Sequence, residues 1–200
     1  MIRISEKPDF INERSLPHSS VVGARLSYFW QVWLKEGAEP WVVEVLQNGY
    51  QIPFKTQPPT SENPIEFPSY LGNQEKLKAL NKEVQEMLQK GAIEPVEHPD
   101  SGFYNRLFLV KKASGNWRPV LDVSRLNKFV KKTKFSMETT QSVLLAIQEQ
   151  DWMISMDMKD AYFHIPIHPN SRKYLRFVFE GRTYQFKALP FGLSTALQEC

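Results

Sequence analysis

The stretch that decides the fold is Trp152-Met-Ile-Ser-Met-Asp-Met-Lys-Asp-Ala-Tyr-Phe-His164. Apolar residues run up to Asp157, which predicts a buried strand that ends in a single carboxylate. An unpartnered carboxylate is costly to bury, so Asp157 is expected to bind a metal, pair with a cation or lose its charge. Lys159 lies two residues further on and would share the same face of a strand, so a salt bridge is the simpler alternative to a metal site.

Two further motifs stand in order around this stretch. The upstream motif is Leu109-Val-Lys-Lys-Ala-Ser-Gly-Asn-Trp-Arg-Pro-Val-Leu-Asp122, and the downstream motif is Leu189-Pro-Phe-Gly-Leu-Ser-Thr-Ala196. Each is only moderately specific, but three motifs in order at plausible spacing are strong evidence of one family. Together they resemble a reverse transcriptase. Phrases such as Gly102-Phe-Tyr-Asn-Arg-Leu-Phe-Leu109 and His168-Pro-Asn-Ser-Arg-Lys-Tyr-Leu-Arg-Phe177 resemble the tyrosine-recombinase retrotransposons of the DIRS type.

The resemblance implies an α+β fold, a right-hand polymerase with fingers and palm, here with an incomplete palm sheet and a helical N-terminal extension. The implied activity is that of an RNA-directed DNA polymerase of a mobile element, which uses two Mg²⁺ ions, deoxynucleoside triphosphates (dNTPs) and an RNA or DNA template-primer. Domains for RNase H and recombinase activity of the same element are expected partners.

The family's second catalytic motif, a hairpin with paired aspartates, follows Leu189-Pro-Phe-Gly192 by a few dozen residues. Because this sequence ends at Cys200, we expect a truncated polymerase that is inactive alone. The alternative is a non-catalytic nucleic-acid-binding relic of a retrotransposon.

The resemblance also assigns roles around Asp157. The carboxylate of Asp157 and the main-chain carbonyl of Met158 would hold magnesium, since that ion prefers hard oxygen ligands. The amides of Asp160 and Ala161 would face the triphosphate. Three residues along a strand the Asp160 side chain points to the other face, so its carboxylate is expected to have a local structural role unless the chain turns there. Tyr162 would lie beneath the sugar ring of the nucleotide and exclude a 2′-hydroxyl. The alternative is that Tyr162 is an ordinary core aromatic residue.

Lys112 and Arg118 match the positions that hold the triphosphate in this family. Because hairpin lengths vary, the resemblance leaves open which of Lys111 and Lys112 holds the triphosphate, and Lys112 is preferred. Either lysine could also be a solvated hairpin charge. Arg125 is expected to contact nucleic acid or to pair with Asp122. The remaining expected contacts are one nucleotide-binding residue, Phe191, and four nucleic-acid-binding residues: Lys111, Trp117, Pro190 and Gly192.

The downstream motif departs from the family at two positions. Phe191 stands where retroviral enzymes carry glutamine, and gypsy-type enzymes share this difference. Leu197 stands where the pattern usually has proline, which could alter the start of the following helix.

The basic charge is concentrated in one part of the chain. Between Arg106 and Lys134 there are nine Lys or Arg residues and one acid, Asp122, so this window carries +8 while the rest carries −5. Three aromatic residues are interleaved with these cations: Phe108, Trp117 and Phe129. This composition suits binding to a phosphate backbone, and a solvated basic face is the alternative.

Periodicity and composition divide the chain into a helical extension over 1–50, a proline-rich linker over 51–70 and a polymerase part over 71–200. Helices are predicted from Val21 to Gly37, from Pro40 to Gly49, from a capping Asn73 to Gly91 and after Ser136. Strand pairs are predicted over 106–112 with 117–123, and over 174–179 with 182–187.

Composition excludes several classes of protein. One cysteine among 200 residues allows no internal disulfide and no cysteine-rich zinc site. The start lacks the apolar segment of a secretory signal, and no run of about 18 uncharged apolar residues is present. An intracellular protein with no membrane segment is therefore expected, in the cytoplasm or the nucleus.

Overall fold

The computed structural model describes residues 21–67, 73–111, 115, 117–132, 139–148, 151–152, 154 and 157–194. These residues form a mixture of helices and strands around one hydrophobic core. Among them, no helix is both long and apolar enough to cross a bilayer.

The N-terminal part contains a 3-10 turn, Arg25–Tyr28, followed by helices α1 (Trp30–Lys35) and α2 (Pro40–Asn48). The single helix predicted from Val21 is therefore wrong: a turn and a short helix replace it, and neither buries a residue. Gly37, with φ +80°, follows α1 as predicted. Helix α2 has the predicted bounds, with proline at its first position. It buries Val43 and Leu46 and leaves Trp41 exposed.

Residues 51–67 have no helix, as the prolines predicted, but they pack against the body of the protein. Tyr50 bridges Ile167 and Phe54 bridges Val130. Ile52 is only 3% exposed and belongs to the common core. The segment is thus extended and held in place, since backbone pairing and apolar burial both fix it.

Helix α3 (Gln74–Gln89) has the predicted bounds and the predicted cap. The Asn73 side chain accepts a hydrogen bond from the amide of Lys76 at 2.9 Å, which satisfies one of the free amides of the first turn. Its buried residues form one stripe: Leu80, Val84 and Met87 are buried, with Leu77 and Leu88 packed at the edge of the core.

Strands β2 (Arg106–Lys111) and β3 (Trp117–Asp122) form the predicted antiparallel hairpin, in a register that pairs Lys111 with Trp117; β1 (Ile93–Pro95) precedes them. Side chains alternate along a strand, so Val110 and Arg118 project from one face while Lys111 and Trp117 project from the other. Leu107 and Leu121 lie on the second face and are buried.

A three-stranded antiparallel sheet has the order β1-β5-β4, where β4 is Arg176–Phe179 and β5 is Arg182–Phe186. The turn Glu180-Gly181 joins β4 and β5 at the predicted place, and Tyr174 lies before the strand instead of inside it. A parallel bridge from Tyr104 to Arg176 joins this sheet to the chain that leads into the hairpin.

Three short helices complete the described chain: α4 (Ser124–Asn127), α5 (Thr140–Ala146) and α6 (Pro169–Arg172). Helix α5 lies in the region predicted to be helical, and Val143 and Leu144 are exposed on it. Ser136, the predicted cap of that helix, lies outside the described residues.

Candidate active site

Asp157 is exposed, and the prediction that it ends a buried strand is wrong for the described residues. Trp152 is fully exposed, Ile154 is 84% exposed and Met158 is 61% exposed. A strand requires a neighbour that accepts and donates its ladder hydrogen bonds, and no described residue pairs with these positions. The salt bridge to Lys159 is also not formed, so the carboxylate faces open space.

That open space is a cavity of about 850 Å³ between helix α3, the β2–β3 hairpin and the chain after Asp157. The cavity brings together eight residues that the sequence predicted for the site, seven of them from the hairpin and the segment that begins at Asp157. The seven are Trp117, Arg118, Asp157, Met158, Asp160, Ala161 and Tyr162, and the eighth, Phe191, joins them from the downstream motif. Residues far apart in the chain thus share one cleft, the usual location of a binding site.

The chain turns sharply at Asp160, which explains how a short segment supplies several lining residues. Asp160 has φ +55°, a left-handed conformation, and begins the 3-10 turn Ala161–His164. Its carboxylate forms an ion pair with Lys90, with 3.0 Å between Asp160 Oδ2 and Lys90 Nζ. The chain does turn here, which is the condition under which a local role was not expected, and the carboxylate pairs with Lys90 at the end of α3 and not with the local chain.

An aromatic pair forms one wall of the cavity. The rings of Tyr162 and Phe191 meet edge to face with their centroids 4.6 Å apart. The guanidinium of Arg118 lies over the Phe191 ring, 4.8 Å from its centroid. Phe191 thus contacts both the predicted sugar gate and the predicted triphosphate ligand.

The hairpin cations do not all reach the cavity. Arg118 and Trp117 line it, whereas Lys111 is exposed and is not among the lining residues. Lys112, the preferred triphosphate lysine, lies outside the described residues.

Other predicted nucleic-acid contacts lie beside the cavity. Arg125 is exposed over the rings of Phe67 and Phe103, at 5.7 and 5.6 Å, and does not form the alternative pair with Asp122. The Asp122 carboxylate instead accepts hydrogen bonds from the amide and hydroxyl of Ser124. These arginine–ring contacts leave the charge accessible to solvent.

The residues on either side of Phe191 differ in exposure. Pro190 is fully buried, so it supports the loop from inside. Gly192 is exposed with φ +94°, and its carbonyl accepts a hydrogen bond from the Asn127 side chain at 2.8 Å. The same side chain accepts from the amide of Ser194, so Asn127 holds this loop on both sides of Leu193.

The site has part of the donor set that a magnesium ion requires. Within the described part of the chain, no three His, Cys, Asp or Glu side chains are placed to hold a metal by themselves. Magnesium, however, is commonly held by one or two carboxylates, with phosphate and water oxygens completing the shell. Asp157 and Met158 both line the cavity, and the carboxylate of the first and the carbonyl of the second would be the ligands of such a partial site.

Sequence reasoning missed the contribution of α3 to this cavity. Four charged residues of that helix and its end line it: Lys82, Glu83, Glu86 and Lys90. Lys82 and Glu86 form a loose surface pair at 3.8 Å. Helical periodicity places these residues on the polar face, but it does not reveal what that face meets.

Residues 110–198 match the family model described as "Reverse transcriptase (RNA-dependent DNA polymerase)". The chain thus contains a reverse transcriptase domain, with homologues among retroviral and retrotransposon polyproteins.

Two viral polyproteins illustrate the sequence similarity. The Gag-Pro-Pol polyprotein of sheep pulmonary adenomatosis virus is 31% identical over 150 residues, which is 70% of this chain and 8% of that protein. The Pol-related polyprotein of the mouse intracisternal A-particle MIA14 is 30% identical over 157 residues, 74% of this chain and 17% of that protein. The chain therefore spans less than a fifth of the length of these relatives.

Solved structures show the same fold at lower sequence identity. The native protease-reverse transcriptase of prototype foamy virus matches with a TM-score of 0.52 and 22% identity, over 73% of this chain and 20% of that one. A foamy viral protease-reverse transcriptase in complex with double-stranded DNA matches with a TM-score of 0.54 and 19% identity, over 90% of this chain and 35% of that one. The described elements thus adopt the fold of reverse transcriptase polymerase domains.

Proposed function

We propose that this chain supplies the fingers and the first part of the palm of an RNA-directed DNA polymerase of a mobile element. The observation that carries the proposal is the shared cavity, in which Arg118, Asp157 and Tyr162 meet although the chain separates them. The reaction would be nucleotidyl transfer from dNTPs to a primer end.

Four lining residues have chemistry that suits a role in nucleotide binding. The Arg118 guanidinium offers a planar fork of donors to phosphate oxygens. The amides of Asp160 and Ala161 stand at the start of a turn, where main-chain donors lack a partner inside the turn. Tyr162 presents ring bulk beside Phe191, where it would meet the sugar.

Asp157 and the Met158 carbonyl would hold magnesium on the cavity wall. Two such ions, when bound, would stabilise the attacking and leaving oxygens of the in-line displacement. The exposed Asp157 would share an ion with a bound triphosphate, while the Asp160 carboxylate is already paired with Lys90. The other carboxylates of the site would come from outside the described residues.

The template-primer would lie along the exposed basic residues of the hairpin and the segment after it. Arg106, Lys111, Arg125, Lys128 and Lys131 are all exposed. A DNA duplex is bound by the foamy viral neighbour, which supports this assignment by analogy of fold. The same exposed charge supports the second candidate, a nucleic-acid-binding relic without chemistry.

Within the family we place the chain in an element of the DIRS type, with RNase H and recombinase domains as partners. The phrases Gly102–Leu109 and His168–Phe177 support this finer assignment. Sequencing the DNA that flanks the gene tests it, because a tyrosine recombinase reading frame is expected there. An aspartate-dependent integrase frame in its place would contradict the assignment.

Primer extension tests the polymerase assignment. Residues 1–200 alone are expected to add no nucleotide, whereas residues 1–200 joined to the remaining palm of a related reverse transcriptase, called here the joined enzyme, are expected to extend a primer. Asp157→Asn should lower its kcat/KM by about a hundredfold or more, a loss of about 3 kcal/mol of transition-state stabilisation.

Asp151 offers a matched control for this substitution. It is an exposed aspartate six positions earlier that is not among the lining residues of the cavity, and its carboxylate accepts a hydrogen bond from the amide of Gln148. Asp151→Asn should leave extension nearly unchanged. If the joined enzyme binds template-primer but never extends it, the relic is the better account; equal losses in both variants would contradict the role of Asp157.

A further inference from the structure

Three chain segments meet beside the cavity. They are residues 22–24, the end of helix α3 with Gly91, and the 3-10 turn Ala161–His164. The amides of Val22 and Gly23 both donate to the Lys90 carbonyl, at 3.1 and 2.7 Å, and the Ala24 amide donates to the Phe163 carbonyl at 2.7 Å. The N-terminal segment is thus bonded on one side to α3 and on the other to the turn that follows Asp157.

The contact between the first two segments is close enough to require glycine. A Cβ added at Gly23 would lie 2.0 Å from the Gly91 carbonyl oxygen and 2.6 Å from the Ala92 amide nitrogen, both of them backbone atoms. Ala24 next to it has φ +60°, which a residue with a side chain adopts only where surrounding contacts hold it. These are signs of a specific junction and not of a loose chain end.

Lys90 adds a side-chain contact to the same junction. Its ammonium lies 3.0 Å from the Asp160 carboxylate, and the two side chains are only 28% and 22% exposed. A partly shielded pair is screened less by water and salt than one on the open surface. Asp160 begins the turn that places Ala161 and Tyr162 on the cavity wall, and it does not use its carboxylate to cap that turn.

We propose that Lys90 is a positioning residue of the nucleotide cavity and that residues 22–24 complete a clamp around the turn Ala161–His164. Lys90 fixes the turn through Asp160, and the backbone of residues 22–24 fixes it through Phe163. The N-terminal segment is then part of the site and not an accessory to it. The predicted effect on nucleotide affinity rests on the proposed function, whereas the clamp itself does not.

Hydrogen exchange of the 200-residue chain, read on the Ala24 amide and on the peptide 157–165, tests the clamp. Lys90→Met should make both exchange about fivefold faster, the size expected for loss of an ion pair of about 1 kcal/mol. Lys90→Arg should restore most of the protection, and Asp160→Asn should reproduce the loss. Unchanged exchange in both Lys90→Met and Asp160→Asn would overturn the proposal.

A pair of glycine variants tests the backbone part. Gly23→Ala introduces the clash with Gly91, whereas Gly37→Ala, at φ +80° with nothing within 4 Å of the added carbon, strains the same region without a clash. Only Gly23→Ala should speed amide hydrogen exchange at Ala24 and in the turn Ala161–His164. Equal exchange in the two variants would show that residues 22–24 do not clamp the turn.

Titration of the joined enzyme, with and without the same substitutions, with dATP and Mg²⁺ separates this proposal from the proposed function. Lys90→Met is expected to weaken dATP binding about fivefold, with Lys90→Arg close to the unsubstituted enzyme. Faster exchange without any change in dATP affinity would overturn the positioning role. If the unsubstituted joined enzyme binds no dATP, the proposed function fails, and the exchange data still decide the clamp.

Discussion

Tyr162 and Phe191 share a ring contact at the cavity wall, and Phe191 has a second neighbour, Arg118. Phe191 also supports the guanidinium of Arg118, so one ring touches a residue proposed for the sugar and a residue proposed for the phosphates. Where retroviral enzymes carry glutamine, this chain offers a flat apolar surface. The Arg118 donors are then oriented by stacking and stay available to phosphate oxygens.

Tyr162→Val in the joined enzyme should raise ribonucleotide incorporation relative to deoxynucleotide incorporation. The ring would occupy the space that a 2′-hydroxyl requires, so selectivity depends on side-chain volume, and Tyr162→Phe should retain most of it. The measurement is the ratio of kcat/KM for the two sugars, which reports differential transition-state binding. A ratio that stays constant while both rates fall would identify Tyr162 as a core residue.

Arg176 is a buried cation with a defined set of partners. It is 4% exposed and donates to the carboxylate of Asp100 at 2.5 Å, to the Asp100 carbonyl at 2.6 Å and to Gln185 at 3.3 Å. Gly102 makes room for it, because an added Cβ would lie 2.6 Å from the guanidinium. The hydrogen bond from Arg176 is the main reason that the pKa of Asp100 lies below its ordinary value.

Asp100→Asn should destabilise the protein in a pH-dependent manner. Because the folded-state pKa of Asp100 is lowered, its ion pair contributes fully above about pH 4, the unfolded-state pKa. The contribution is lost as the pH falls through the lowered folded-state pKa. The difference in free energy of unfolding between the original chain and the variant, measured in urea from pH 3 to 7, should therefore shrink toward acid; a constant difference would rule out the ionic contribution.

At the scale of elements, the β2–β3 hairpin separates its cations into two groups. Arg118 lines the cavity over Phe191, whereas Lys111 is exposed away from it. Strand alternation alone puts these two side chains on opposite faces, given the pairing of Val110 with Arg118 and of Lys111 with Trp117. Because Arg118 lines the cavity and Lys111 does not, the two positions are expected to serve different ligands.

Single alanine variants of the joined enzyme should separate these two roles. Arg118→Ala should weaken dNTP binding about tenfold or more, since a hydrogen bond to a charged group contributes about 1.5–3 kcal/mol. Lys111→Ala should leave dNTP binding unchanged and should lower the salt dependence of template-primer binding by about one unit of slope. Fluorescence titration at several salt concentrations measures both, and identical effects of the two variants would contradict the separation.

At the scale of the whole molecule, the N-terminal part and the polymerase part share a core. Tyr50 and Ile52 pack in the same cluster as residues of α3 and of the β1-β5-β4 sheet. The Tyr50 amide donates to the Pro166 carbonyl, and the His168 amide donates to the Tyr50 carbonyl. The predicted division at 51–70 stays a prediction, and these contacts favour unfolding as one unit.

Ile52→Ala should lower the free energy of unfolding by about 2–5 kcal/mol, the usual cost of truncating a buried isoleucine. If the chain unfolds as one unit, tryptophan fluorescence and far-ultraviolet circular dichroism should shift together in urea. Ile65, which is 41% exposed, supplies the matched control, and Ile65→Ala should have a small effect. Two separate transitions, with only one of them moved by Ile52→Ala, would instead support independent domains.

Local patterns in the sequence determined α2, α3 with its Asn73 cap, the β2–β3 hairpin and the β4–β5 pair, because capping, periodicity and turn chemistry act over a few neighbouring residues. The motifs also identified the lining residues Arg118, Asp157 and Tyr162. The ion pair of Lys90 with Asp160, the clamp by residues 22–24 and the exposure of Asp157 were decided by tertiary structure alone. The ion pair and the clamp depend on which distant segments become neighbours, and the exposure of Asp157 depends on whether the predicted strand pairs with another strand. Local sequence patterns encode neither of these long-range contacts.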